Sequence, residues 1–150
     1  MLGVSVHCQD MFGYTPLYLA ADRGRADIVK NLLDAGARHD IANNDGETPL
    51  YRAAHYGHAD IAKALLDAGA NPDISTSHTE GGTPLIVAIC EGHAAVFKKL
   101  FDAGARTDGY NKGGETPLIV AAGYGYGNAY IAKALLDARP DQDIDYAPAL

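Results

Sequence analysis

The tripeptide Thr-Pro-Leu occurs four times in this chain, beginning at Thr15, Thr48, Thr83 and Thr116, at intervals of 33, 35 and 33 residues. A second marker runs in phase with it: Leu32-Leu33-Asp34-Ala35-Gly36-Ala37, Leu65-Leu66-Asp67-Ala68-Gly69-Ala70, Leu100-Phe101-Asp102-Ala103-Gly104-Ala105 and, altered at its end, Leu135-Leu136-Asp137-Ala138-Arg139-Pro140. Two markers sharing one period leave a narrow choice of architecture. A unit of about 33 residues cannot bury its apolar face alone, so each copy must bury it on the next, and the chain must be an array of units.

Local chemistry sets the elements inside each unit. A Thr hydroxyl ahead of Pro can cap a free backbone N–H, and Pro at the first helical position gives up a donor that would have no partner. A first helix is therefore predicted from Pro16, Pro49, Pro84 and Pro117, about two turns long, stopping at Gly24, Gly57 and Gly92 in the first three units. The second helix carries apolar residues at helical spacing, such as Ile28, Val29, Leu32 and Leu33, or Ile61, Ala64, Leu65 and Leu66. It closes at the Ala-Gly-Ala, where glycine can turn left-handed. Small residues at Ala20, Ala21, Ala53, Ala54, Ala121 and Ala122 let the paired helices approach. A polar residue and a glycine ahead of each Thr-Pro predict turns at Asp10/Gly13, Asn43/Gly46, His78/Gly81 and Asn111/Gly114.

On these residues the chain resembles the ankyrin repeat, with Thr-Pro-Leu-x-x-Ala, an inter-helix glycine and Leu-Leu-x-x-Gly-Ala in a period of 33. The resemblance covers nearly all of one repeat domain, 1–150, divided as 10–42, 43–77, 78–110 and 111–145. It implies an all-α repeat solenoid, a stack of helix-turn-helix units with β-hairpin-like loops between them. It also implies a scaffold for protein–protein interaction, without catalysis, that binds on the loop tips and the inner face of the first helices.

The chain departs from the family pattern in three ways. The family's His after Thr-Pro-Leu is replaced by Tyr18, Tyr51, Ile86 and Ile119. These are expected to pack between repeats, exchanging polar bridging for apolar burial. Insertions lengthen the loop over 74–82 and the inter-helix turn over 123–128. Finally, Ile131, Leu135 and Leu136 of the last unit have no fifth helix pair to follow. The tail from Ile144 to Leu150, a second chain or a longer array could cover them.

Charge and motif content then exclude several classes. With 12 Lys+Arg against 19 Asp+Glu the formal net charge is −7, and no basic run exceeds Lys98-Lys99, so nucleic acid is not an expected partner. The N-terminal sequence lacks the pattern of a secretory signal and no apolar run is long enough to span a bilayer, which points to the cytoplasm or nucleus and to no membrane partner. Two widely spaced cysteines, Cys8 and Cys90, read as reduced thiols. Cys90 beside Glu91 is a passive thiol, because a neighbouring carboxylate disfavours the thiolate. No phosphate loop, nucleophile elbow or zinc-protease motif is present, so no enzyme, cofactor or metal is expected. His58 and His93 follow the inter-helix glycine, where the ankyrin pattern has a structural His. His55 and His58 straddle Gly57, which breaks the helical face a ligand pair would need. The resemblance also points to asparaginyl hydroxylation, but the matching positions hold Asp40, Asp73 and Asp108.

Projecting the repeat register places a varied set of residues on the concave face. Phe12, Tyr14, Tyr56 and Tyr124 are the expected aromatic anchors, with Tyr126 in the inserted turn. Asp22, Asp45, Glu47, Glu80, Glu91 and Glu115 surround them, and Arg23, Arg52, His55 and Lys112 complete the surface. Aromatic anchors in an acidic surround suit a partner protein with a basic surface. Two other roles fit the same residues: an adaptor or targeting part of a larger protein or effector, and a structural module, monomeric or weakly self-associating through uncapped ends.

Overall fold

The computed structural model describes residues 3–76, 82–124 and 128–138, and among these it holds eight helices and no strand. They form four antiparallel pairs in chain order: α1 (Pro16–Asp22) with α2 (Ala26–Asp34), α3 (Pro49–Tyr56) with α4 (Ala59–Asp67), α5 (Pro84–Cys90) with α6 (Ala94–Asp102), and α7 (Pro117–Gly123) with α8 (Asn128–Asp137). The first helices stack in one row, α1 on α3 on α5 on α7, and the second helices in another, α2 on α4 on α6 on α8. This is an all-α repeat solenoid. The tail 139–150, with the covering role considered for Ile144 to Leu150, lies outside the described residues, as do Glu80, His78, Gly81 and Tyr126.

The helix starts follow the threonines. Thr15, Thr48, Thr83 and Thr116 are extended, and each side-chain oxygen accepts the N–H three residues on, from Tyr18, Tyr51, Ile86 and Ile119. Proline occupies the first helical turn in all four. The stops follow the glycines, with Gly24, Gly57 and Gly92 left-handed at φ 72°, 77° and 75°. Gly57 has a second reason to lack a side chain. A Cβ there would lie 2.6 Å from His93 Nδ1. Packed against this glycine, His93 donates from Nε2 to the His55 carbonyl at 3.0 Å, joining the second unit to the third. His58 packs over Gly24 in the same way.

Apolar burial holds the stack. Leu17, Leu50 and Leu85 of the first helices and Val29, Leu65, Val96, Phe97 and Leu100 of the second helices are sealed in one hydrophobic core. Each such side chain contributes about 1.5–3 kcal/mol relative to exposure. Of the six small residues, Ala20, Ala21, Ala53, Ala54 and Ala121 are buried, whereas Ala122 is exposed. A polar strand of inter-unit bonds runs beside this core. The Asp40 carboxylate accepts the Asn71 N–H at 3.2 Å and the Asp73 carboxylate accepts the Arg106 N–H at 2.8 Å. Two of the three aspartates at the hydroxylation-like position therefore tie one unit to the next.

The loops before each Thr-Pro share a hairpin closure. Asp10, Asn43 and Asn111 each donate a backbone N–H to the carbonyl four residues on, and each side-chain oxygen accepts from the backbone within the turn. In the third unit the closing bond runs from Thr76 N to Gly82 O, six residues apart. The closing bond therefore starts at Thr76, two positions upstream of the expected His78. Gly82, left-handed at φ 64°, sits where a Cβ would meet the backbone of Tyr110 and Asn111 at about 3 Å.

Candidate functional site

A groove of about 690 Å³ opens along the inner face of the first helices, from the second unit to the fourth. Tyr51, Val87 and Cys90 are supplied by α3 and α5, Glu47 and Arg52 by the start of the second unit, and Asn111, Lys112, Gly113 and Glu115 by the last hairpin. His55, Glu91 and Tyr124 complete it at the C-terminal ends of the first helices. Helix stacking puts equivalent positions side by side, so the groove samples one register position several times. Arg52 is followed by Val87, His55 by Cys90, and Glu91 by Tyr124.

Of the residues expected on the concave face, Glu47, Arg52, His55, Glu91, Lys112, Glu115 and Tyr124 line this groove. Phe12, Tyr14, Asp22, Arg23, Asp45 and Tyr56 do not. Phe12 and Tyr14 belong to the first hairpin, their rings 5.6 Å apart, with Tyr14 half-buried and stacked on Tyr18 at 4.7 Å. Asp45 is exposed at the tip of the second hairpin, Arg23 is exposed beside Asp22, and Tyr56 is exposed on α3. Tyr51, Val87, Asn111 and Gly113 were missed as lining residues. The repeat register held a signal for Val87, because it occupies the same position as Arg52. An aliphatic residue simply does not look like a binding residue.

Glu47 corrects the sequence reading most sharply. It is buried, not part of an exposed acidic surround. Its Oε2 accepts the Tyr18 hydroxyl at 2.9 Å and Asn43 Nδ2 at 3.0 Å, and Arg52 Nη1 lies 3.4 Å from Oε1. Arg52 Nε also donates to Asp22 Oδ1 at 2.7 Å, and Nη2 donates to the Tyr56 hydroxyl at 2.9 Å. The guanidinium carbon stands 4.9 Å from the centre of the Tyr56 ring. Asp22, Glu47, Arg52 and Tyr56 are therefore spent largely on one another, binding the first unit to the second.

Tyr18 overturns another expectation. Tyr18, Tyr51 and Ile86 are buried between units, but Tyr18 keeps the polar bridge rather than replacing it, its hydroxyl reaching the next unit's hairpin. Burial first, then the hydrogen bond and negative charge of Glu47, push its phenol well above the ordinary tyrosine range. For Arg52, burial works against the charge, but the bond to Asp22 and the fields of Tyr18 and Glu47 outweigh it and hold the guanidinium above its usual range. Ile119, at the same position in the last unit, is exposed.

The wall of the groove is chemically mixed. Tyr51 and Val87 form its buried floor and Cys90 is half-buried beside them, while Glu91 and Lys112 are exposed at the rim and Glu115 is half-buried. Glu115 accepts from Asn111 Nδ2 at 3.0 Å. His55 stands edge-on to Tyr56 and faces the groove, whereas His58 turns away over Gly24. Neither cysteine is in a disulfide. Among the described residues, no helix is long and apolar enough to cross a membrane.

Comparison with known proteins agrees with this geometry. A family model described as ankyrin repeats (3 copies) matches residues 1–76 and again 71–146. Protein phosphatase 1 regulatory subunit 27 of Mus musculus is 43% identical over 45 residues, which is 30% of this chain and 29% of that protein. Its counterpart from Homo sapiens is 40% identical over 45 residues, with the same shares of each chain. This chain therefore spans less than a third of the length of these curated relatives.

Proposed function

The chain belongs to the ankyrin repeat family, and from that premise we propose that it is a single-domain, non-catalytic scaffold that holds a partner protein segment in the groove between its second and fourth units. The carrying observation is a contrast between positions. Framework residues repeat from unit to unit, whereas the groove positions change chemistry from Arg52 to Val87, from His55 to Cys90 and from Glu91 to Tyr124. A fixed frame with a varied inner face is what selective recognition of one partner requires. The relatives named as regulatory subunits support a binding role, although a 45-residue match spans little more than one repeat and supports the scaffold rather than their particular phosphatase.

The partner we favour presents a basic residue beside an apolar one. With Asp22 and Glu47 already engaged by Arg52, the steering charge falls to Glu91 and Glu115 against Lys112, and Asp45 adds to it from the hairpin tip. Tyr124, exposed at one end of the groove, and the half-buried Cys90 then supply contact area above a buried floor of Tyr51 and Val87. The test is a fluorescence-anisotropy screen of peptides varied in charge and apolar content against wild type, Glu91→Lys and Tyr124→Ala. Basic-apolar peptides should bind wild type, lose at least tenfold in affinity to Glu91→Lys and weaken with added salt. Equal binding to wild type and both variants would remove the groove as the site.

A further inference from the structure

Both ends of the stack expose positions that its interior buries. Leu118 and Ile119 are 38% and 52% exposed, whereas their register equivalents Leu17, Leu50 and Leu85, and Tyr18, Tyr51 and Ile86, are 3% exposed or less. At the other end, Ile28 is 42% exposed, against 2%, 0% and 1% for its equivalents Ile61, Val96 and Ile131. The pattern gives each face a direction. The Ile119 position is open only in the last unit, so it is covered by a following unit, and the Ile28 position is open only in the first, so it is covered by a preceding one. Leu136 extends the open C-terminal face along α8, exposed where Leu33, Leu66 and Phe101 are half-buried.

We propose that these faces are complementary docking surfaces and that the occupant of each is the opposite face of a second copy of this chain, stacked head to tail. Two features select that occupant. The first is the template inside the chain, where α1 packs on α3 and α2 on α4, and the same pairing recurs to the last unit. A second copy carries the required face in the required register. The second is the chemistry of the meeting residues. Tyr18 reaches forward to Glu47, and the position equivalent to Glu47 in the first unit is Tyr14. Ile119 of one copy is thus set against an aromatic ring of the next, beside the exposed Met11 and Phe12. Apolar meets apolar where the first internal junction pairs a hydroxyl with a carboxylate.

Such a contact is heterologous, so copies add end to end and the assembly grows with concentration. Sedimentation velocity of the full chain over a dilution series should show the weight-average mass rising above 15.8 kDa. Ile28→Asp and Ile119→Asp each spoil one face at an exposed site, and circular dichroism checks that both stay folded. Each variant alone should remain monomeric at every concentration. An equimolar mixture should recover a dimer and stop there, because the intact C-terminal face of Ile28→Asp meets the intact N-terminal face of Ile119→Asp. A wild-type chain that stays monomeric throughout overturns the proposal, and so does either single variant that associates as wild type does. The groove lies on another face, so neither result bears on partner binding there.

Discussion

At the scale of single residues, the junction between the first two units rests on Tyr18, Asn43, Glu47 and Arg52. A buried carboxylate is tolerable only while its partners remain, since an unmatched charge in a low-dielectric site costs several kcal/mol. Tyr18→Phe keeps the ring and deletes the hydroxyl, and should destabilise the protein by about 1–3 kcal/mol at neutral pH. A pH signature accompanies it. The unfolded tyrosine ionises near pH 10, while the folded Tyr18 holds its proton beyond that. The unfolded chain therefore binds fewer protons above about pH 10, so this contribution to stability is complete below that pH and declines as pH rises. Urea unfolding at pH 7 and at about pH 10.5 should show a larger alkaline loss in wild type than in Tyr18→Phe. The residues of this network were all visible in the sequence, and Glu47 even stood among the candidate site residues. Its contact with Tyr18 was not visible, because the two lie 29 positions apart and meet only through stacking.

At the scale of elements, the Thr-Pro starts and glycine stops were legible because they act within a few residues, and the four capping bonds follow directly. The glycines carry a further demand that local reading does not reveal. Gly36 and Gly57 are both left-handed, at φ 85° and 77°, yet a Cβ on Gly36 would meet open space and one on Gly57 would strike His93. Gly36→Ala should cost about 1–2 kcal/mol from backbone strain alone. Gly57→Ala should cost measurably more, because His93 must also leave the His55 carbonyl. Thermal unfolding of the two variants side by side checks the order, and equal losses would remove the close-approach argument. The third hairpin teaches the same lesson. The polar-residue-and-glycine pattern placed its opener at His78, whereas the closing bond starts from Thr76, 33 residues beyond Asn43, so the period survives at the opener.

At the scale of the whole molecule, stability should be graded along the stack. Each unit is held only by its neighbours, so the inner units are gripped on two sides and the terminal ones on one. The last unit is also the one whose Leu118, Ile119 and Leu136 stand exposed. Hydrogen exchange at low protein concentration should therefore find the amides of α7 and α8 at least about tenfold less protected than those of α3 and α4. Protection in the last pair equal to that in the second would contradict this grading.

By itself the sequence determined the repeat, its period, its helix caps and the family, because each of these depends on contacts within one unit or on the recurrence of short patterns. Only the tertiary structure shows which charged residues are engaged with one another inside the stack. Asp22, Glu47 and Arg52 had the look of a binding surface, but Arg52 hydrogen-bonds Asp22 across the unit boundary and Glu47 within its own unit, so Glu47 and Arg52 line the groove as a largely engaged network. The same stacking leaves Val87 on the groove and Ile119 on an open end. A side chain's register position can be read along one chain. Its availability depends on what the neighbouring unit places against it, and that is a property of the stack.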